Sequence, residues 1–343
     1  MKALVHRRYG SVSNLELGEV LELREVTAPQ AGDGEVLVRV RATSMHADIW
    51  HVVSGRPYVL RLMGAGVLKP KPGAIPGTDV AGVVIAVGSG VSDFKEGDRV
   101  FGDVVSDFQW KHGGSYAEYV CVRANELAKM PDGVSFEEAA TLPTSAMIAL
   151  RCLRLAAGGL ATGSRVLING AGGSVGVFAL QVAKAHGAEV TAVDCAAKLG
   201  RLRSLGADQV VDYQTQGVYE LSQPYDVILD VASSLSFRVC RELLTPAGKY
   251  IFVGHDHFGR KGGAWFGSLP RAVGLMAASP FFRQLPRVQF NFDQKQLLLD
   301  LQKLLEQNKL VPQIERTYSL EEVAVAYRRM LAGDALGHLV ITP

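Results

Sequence analysis

The chain is poor in cysteine. Its four cysteines, Cys121, Cys152, Cys195 and Cys240, are scattered singly and form no CxxC pair. Such spacing offers neither the thiolate quartet of a structural zinc nor the framework of a disulfide-stapled domain. Net charge is nearly absent too: 36 Lys and Arg against 34 Asp and Glu leave +2. A nucleic-acid partner or an anionic membrane calls for a clustered basic excess, which is missing. No apolar run reaches the roughly 18 residues that mark a spanning helix. Histidine is sparse, eight in all, with no dense cluster. The first residues, Lys2-Ala3-Leu4-Val5, read as a strand and not as the basic start of an export signal. Internal repeats and low-complexity tracts are absent. These lacks predict a cytoplasmic protein with reduced thiols, no nucleic-acid partner and no membrane.

What is present is size and alternation. A chain of 343 residues, 48% hydrophobic, is long enough for two domains with their own cores. Up to residue 130 the pattern is short strands between Gly and Pro turns: Val36–Val40, Val80–Val87, Arg99–Gly102 and Tyr116–Val122. That pattern predicts a compact, barrel-like β domain. Ser135 opens a different regime. With Glu138 three residues on, it reads as a capping box, and Thr144–Ala156 follows as an apolar helix. Strand–helix units then repeat from Arg165, which predicts a parallel sheet with right-handed crossovers. Leucines at 297, 298, 301, 304 and 305 predict an amphipathic helix over Gln294–Glu306. A last helix over Leu320–Leu331, capped by Ser319, precedes the strand Leu339–Ile341.

The densest signal is Val166-Leu167-Ile168-Asn169-Gly170-Ala171-Gly172-Gly173-Ser174-Val175-Gly176-Val177. It reads as a buried strand, a glycine turn and a helix start, the order that builds a phosphate cradle. Gly170 is placed where the turn needs unusual dihedrals. Gly172 and Gly173 keep Cβ atoms away from a pyrophosphate, and Gly176 allows close helix packing. The loop from Gly170 to Gly176, with Ala171, Ser174 and Val175, is the predicted dinucleotide site. Asp194 ends the next strand 24 residues beyond Gly170, where a carboxylate can accept ribose hydroxyls and repel a 2′-phosphate. Lys198 and Tyr213 argue the other way, with Arg201 or Arg203 in support. NAD(H) is favoured over NADP(H) by a small margin. Thr144 and Ser145 are placed near the nicotinamide or its ribose, and Phe252, Val253 and Gly254 near its carboxamide, because ligands of such sheets lie at the strands' carboxyl ends.

Several ordered motifs carry a resemblance along essentially the whole chain. They are Pro76-Gly77-Thr78-Asp79-Val80-Ala81-Gly82, Glu96-Gly97-Asp98-Arg99-Val100-Phe101-Gly102, Gly113-Gly114-Ser115-Tyr116-Ala117-Glu118-Tyr119-Val120, Ala139-Ala140-Thr141-Leu142-Pro143-Thr144, the glycine loop, and Leu205-Gly206-Ala207-Asp208. Together they resemble the medium-chain dehydrogenase/reductase superfamily, in its zinc-independent quinone oxidoreductase branch. The resemblance implies an α/β fold: a GroES-like β-barrel catalytic domain from residues 1–130 and 310–343, and a Rossmann doubly wound parallel sheet from 131–309. It also implies a homodimer. Zinc-dependent relatives carry thiolate and imidazole ligands at positions that match Ser44, Thr78 with Asp79, and Thr144 or Ser145. Those soft ligands are missing, and no cysteine lies between Phe101 and Tyr119. A catalytic zinc would have to be rebuilt from His46, Asp48, His51 or Asp79, so none is expected.

The function implied is metal-independent, NAD(P)H-dependent hydride transfer to a small hydrophobic quinone or α,β-unsaturated carbonyl. The alternatives are a specialised alcohol or acyl oxidoreductase of the same fold, and a non-catalytic dinucleotide-binding protein. Candidate catalytic groups are Ser44, Asp48, His51 and Tyr58. Tyr58 can serve as proton donor or ring platform, or pack as a loop aromatic. Asp48 can pair with His51 on one helical turn or cap that helix. Trp110, His255, His257 and Trp265 are candidate walls of the substrate site, and Arg260 and Lys261 candidate contacts for an anionic substrate. Trp265–Phe282 is read as a specificity cap or a dimer surface. His338 stands where relatives carry a lysine.

Overall fold

In a computed structural model, residues 1–10, 19–62, 66–105, 113–156, 159–254, 257–258, 263–287 and 293–343 are described. Trp110, His255, Arg260 and Lys261 lie outside the described residues. In chain order the elements are β1 (Lys2–His6), β2 (Leu21–Glu25), β3 (Glu35–Met45), α1 (Asp48–Ser54), β4 (Asp79–Val87), β5 (Arg99–Asp103), β6 (Tyr119–Arg123), β7 (Leu127–Lys129), α2 (Phe136–Ala140) and α3 (Pro143–Arg154). There follow β8 (Arg165–Asn169), α4 (Ser174–Ala185), β9 (Glu189–Asp194), α5 (Ala196–Ser204), β10 (Gln209–Asp212), β11 (Tyr225–Asp230), α6 (Phe237–Leu243), β12 (Leu244–Phe252) and α7 (Leu269–Ala278). The chain closes with α8 (Gln294–Glu306), β13 (Ile314–Ser319), α9 (Val323–Ala332) and β14 (His338–Thr342).

Two compact units result. The first holds Met1–Met147, Asp293–Glu306 and Pro312–Pro343; the second holds Ile148–Phe292 and Gln307–Val311. The sequence-based division at residue 130 marks the end of the strand-rich region. The first unit continues past it, because α2 packs on β3 and β4 and the Thr144 amide is bonded to Asp79.

The first unit is organised by β3. It pairs antiparallel with β4 through Val36–Ala42, with β6 through Glu35–Arg39, and with β14 through Thr43–Met45. One strand with three neighbours bends the sheet, and register shifts after Leu37 and Val40 supply the bend. Alternate residues Val36, Val38 and Val40 point into a core with Val80, Val84, Phe94, Val100, Val120, Val122 and Leu127. The expected capping box forms: Glu138 N donates to Ser135 Oγ at 3.1 Å and Ser135 N to Glu138 Oε2 at 2.9 Å. Ser319 caps the last helical segment in the same way, with Glu322.

The second unit is an open parallel sheet in the order β10-β9-β8-β11-β12. The order reverses between β8 and β11, so the connections leave opposite faces of the sheet to be covered by helices. Its core includes Leu167, Val193, Val211, Tyr225, Ile228, Cys240 and Tyr250. Among the described residues no helix is long and apolar enough to cross a membrane.

Candidate active site

The switch point between β8 and β11 carries the glycine loop. Gly170 leaves β8 at φ +84°, and a Cβ there would lie 3.0 Å from the Ala232 amide nitrogen. A Cβ on Gly176 would sit 2.2 Å from the Gly170 carbonyl oxygen, so glycine is required for α4 to start against the loop. Gly172 has a different reason from the one read in the sequence: its Cβ would meet Lys198 Cδ at 2.5 Å and Asp194 Oδ2 at 3.0 Å. Gly173 alone faces open space, its Cβ meeting only the Gly170 carbonyl at 3.6 Å. The amides of Ser174 and Val175, in the first turn of α4, find no protein acceptor among the described residues. Unbonded amides beside open space fit a dinucleotide pyrophosphate.

Asp194 is tied into this loop. Its Oδ2 accepts the Gly172 amide at 2.7 Å, its Oδ1 accepts Cys195 N at 2.9 Å, and Lys198 Nζ stands 3.4 Å from Oδ1. Lys198 is 5% exposed, not a solvated surface lysine. The i,i+4 spacing of the pair was the sequence signal for this contact. Tyr213, 56% exposed, follows β10, and its amide donates to the Asp194 carbonyl at 3.2 Å.

Sequence reasoning missed a network at the carboxyl ends of β8, β11 and β12. Buried Asp230 accepts from Asn169 Nδ2 at 2.7 Å, Tyr250 Oη at 2.8 Å, and the amides of Leu235 and Ser234 at 3.1 and 3.2 Å. Arg271, from α7, stands 3.5 Å from Asp230 and donates to the Ser233 carbonyl at 2.5 Å and to Tyr250 Oη at 2.7 Å. Ser233, at φ +53°, accepts the Gly254 amide on its Oγ at 3.0 Å. The Val253 amide donates to the Asp230 carbonyl at 3.3 Å, and the Phe252 ring lies 4.4 Å below the Arg271 guanidinium. Phe252, Val253 and Gly254 are therefore held against the β11–α6 loop. The only hint in the sequence was a polar residue ending each of two apolar strands.

Thr144 belongs to the first unit, in a buried polar cluster around Asp79. Oδ1 of Asp79 accepts from Thr144 N at 2.9 Å and from Thr144 Oγ1 at 2.6 Å, while Oδ2 accepts from Ser44 Oγ. His46 Nε2 is 2.8 Å from Thr78 Oγ1 and 4.0 Å from Asp79 Oδ2, and its Nδ1 is 3.4 Å from Asp48 Oδ2. Thr78 Oγ1 lies 3.5 Å from Thr144 Oγ1. Burial pushes the Asp79 carboxyl up, against the pull of His46 and the bonded donors. For His46, burial pulls the pKa down, but the carboxylates of Asp48 and Asp79 outweigh it and hold it above the usual histidine value. Both directions favour the protonated form of the group concerned.

Of the four catalytic candidates, Ser44 and Asp48 join this cluster. The other two find different partners: His51 Nδ1 bonds the Arg56 carbonyl at 2.7 Å, and Tyr58 is stacked by Arg61 at 4.6 Å and Arg56 at 5.7 Å. Asp48 does not supply the cap of α1; Ala47 is the N-cap, without a side-chain bond. His338 is buried nearby, with Nδ1 3.3 Å from the Gln313 carbonyl. Burial drives its pKa down to about 3, with His46 adding to the effect.

His338 is thus neutral in the fold and titrates near 6.5 once unfolded. Its contribution to stability is complete above pH 6.5 and is lost as pH falls below that value. The loss from pH 6.5 to 5 is expected to be about 2 kcal/mol, by proton linkage. His46 runs the other way, losing its contribution as pH rises through its raised pKa. Urea midpoints between pH 7 and 5 check this: His338→Gln is expected to flatten the acid limb, and an unchanged slope would contradict it.

Zinc chemistry needs thiolates, imidazoles or free carboxylates. Here the donors at the matching positions are hydroxyls, and both Asp79 oxygens are taken by protein donors. Among the described residues no group of three or more His, Cys, Asp and Glu is placed to hold a metal ion.

A glycine cradle on a parallel sheet, with a separate unit of curled antiparallel strands, defines a dinucleotide-dependent oxidoreductase of two-unit design. Family models agree: residues 32–132 match the alcohol dehydrogenase GroES-like domain, and residues 205–341 match the zinc-binding dehydrogenase model. A chloroplastic quinone-oxidoreductase homolog of Spinacia oleracea is 31% identical over 100% of this chain and 98% of its own. The 2-methylene-furan-3-one reductase of Solanum lycopersicum is also 31% identical, over 100% of this chain and 79% of its own. The solved quinone oxidoreductase of Coxiella burnetii superposes with a TM-score of 0.79 at 26% identity, over 100% of this chain and 99% of that one. The chain belongs to the medium-chain dehydrogenase/reductase superfamily, in its quinone oxidoreductase-like branch, and is an oxidoreductase.

Proposed function

We propose that the chain is a metal-independent reductase that passes a hydride from NAD(P)H to quinones or α,β-unsaturated carbonyls. The observation that carries this reading is the cluster around Asp79. Its hydroxyls, Ser44 and Thr144, are bonded to Asp79 and offer no soft ligand for a metal that would acidify an alcohol. When bound, the dinucleotide supplies the hydride. The chain's own part is to bind and orient it at the loop of Gly170–Gly176 and to stabilise the acceptor's oxygen. The similarity to a quinone oxidoreductase homolog and to an enone reductase supports the same acceptor class.

NADH is the preferred donor in this reading. Lys198 is paired with Asp194, so a 2′-phosphate at that position would meet a carboxylate. The test measures NADH and NADPH oxidation side by side, with an ortho-quinone and an enone, in the presence of chelator. Chelator-resistant turnover is expected. No turnover of either acceptor, or activity on simple alcohols that chelator abolishes, would overturn the reading. In the same assay Asp194→Ser is expected to raise the NADPH-to-NADH ratio about tenfold, near 1.4 kcal/mol. An unchanged ratio would remove Asp194 from cofactor choice.

The same reading takes the chain as a homodimer. No residue of α7 is buried, and Trp265, Phe266, Val273, Met276 and Phe281 are exposed. Sedimentation at the monomer mass of 36.8 kDa would overturn it.

A further inference from the structure

Reduction of a quinone or an enone leaves an oxyanion on the product, and that oxygen needs a proton. Two proton donors suggested by the sequence are engaged elsewhere: His51 with the Arg56 carbonyl, Tyr58 in a stack with Arg56 and Arg61. We infer that His46 is the resident proton donor of this site, acting through the hydroxyls of Thr78 and Thr144. The inference rests on the reductase reading above.

The geometry forms a continuous path. Asp48 Oδ2, on a side chain 24% exposed, stands 3.4 Å from His46 Nδ1. Nε2 lies 2.8 Å from Thr78 Oγ1, which lies 3.5 Å from Thr144 Oγ1. Asp48 Oδ2 stands beside Nδ1 and Nε2 faces the Thr78 hydroxyl, so Nε2 is the end that gives and takes the proton. Asp79 accepts the Thr144 hydroxyl in the resting state and favours the imidazolium from 4.0 Å. The charged and titratable groups facing His46 are Asp48, Asp79, Asp103 and His338, three carboxyls and one neutral imidazole. The carboxylates of Asp48, Asp79 and Asp103 favour the charged form of His46 against its burial, which is the direction of its raised pKa.

The step balances as follows. The acceptor gains two electrons with the hydride, and the dihydronicotinamide is oxidised by the same two. In an enone the displaced π pair comes to rest on the carbonyl oxygen. An O–H bond forms there as the Thr144 O–H bond breaks. Thr144 takes the Thr78 proton, and Thr78 takes the proton of His46 Nε2, leaving a neutral imidazole. After product leaves, a proton from water returns along the same hydroxyls. His46 and Asp48 are positioning residues by this account, since Thr144 is the group that touches the product.

The test compares parent, His46→Gln and Asp48→Asn. The first readout is independent of turnover: the His46 ring carbon shift is followed with pH by NMR in the cofactor-free chain, assigned by its loss in His46→Gln. In the parent the titration is expected above 6.5, and in Asp48→Asn it is expected to move down by about one pH unit. The second readout is kinetic. His46→Gln is expected to lower kcat on the enone at least tenfold at pH 7, with the Kd for NADH within twofold, and to enlarge the solvent isotope effect. Asp48→Asn, at a half-buried position on α1, covers the case in which His46→Gln fails to fold. An ordinary titration of His46, together with unchanged pH profile and isotope effect in both variants, would overturn the relay. A parent that reduces neither acceptor would overturn the reductase reading instead, and the NMR arm would still report on His46.

Discussion

Replacing Gly173 by valine is expected to abolish dinucleotide binding while leaving the fold in place. Gly173 is the N-cap of α4, at φ −79° and ψ 173°, an extended conformation that valine adopts without strain. Its Cβ would meet nothing closer than 3.6 Å, so the protein itself has room for the side chain. The space it would enter adjoins the unbonded amides of Ser174 and Val175, where a pyrophosphate would approach. The melting temperature of the cofactor-free chain is expected to stay within about 2 °C, because the valine adds stiffness to the unfolded chain and removes no contact. The Kd for NADH is expected to rise at least 100-fold, about 2.7 kcal/mol. Fluorescence titration and a thermal melt measure both sides. Unchanged affinity would refute the cradle. Gly176→Val is not an equivalent test, since its Cβ would strike the Gly170 carbonyl at 2.2 Å and disturb the loop itself.

Asp230→Ala is expected to cost the most stability of any single change in the second unit. The carboxylate is fully buried and accepts from one amide side chain, one phenol and two backbone amides, with Arg271 3.5 Å away. Alanine leaves those donors facing a space without an acceptor, and the loss of one member of a buried charged set costs about 4 kcal/mol. That corresponds to a melting temperature lower by roughly 6 °C for a chain of this size. Asp230→Asn retains one acceptor oxygen and is expected to recover part of the loss. Denaturant midpoints of the three proteins decide it. An alanine variant as stable as the parent would mean that water replaces the carboxylate and that the network does not hold the β11–α6 loop.

Much of the fold was legible because its signals are local. The glycine loop, the capping boxes of Ser135 and Ser319 and the leucine period of Gln294–Glu306 each lie within a few residues of one another. The order of strands and helices from Arg165 onward follows from short apolar runs separated by helix-length segments, and a right-handed crossover leaves few ways to assemble them. The site was legible only in part. Gly172 was marked as clearance for a pyrophosphate, whereas the atoms that forbid a side chain there belong to Asp194 and Lys198. Lys198 was set against Asp194 as a rival determinant of cofactor choice, and the two are a single ion pair.

The clusters around Asp79 and Asp230 had little local signal. Asp79 meets Thr144 across 65 positions of sequence, and Asp230 meets Asn169 across 61. Periodicity identifies the strand that ends in a carboxylate; it does not identify the donors that several other strands and loops bring to that end. Composition and pattern alone thus set the class of fold and the glycine loop, because each depends on residue type and near spacing. Which hydroxyl faces which carboxylate, and that His46 and not His51 or Tyr58 lies beside Asp79, depended on strand register, bends in β3 and the burial those create.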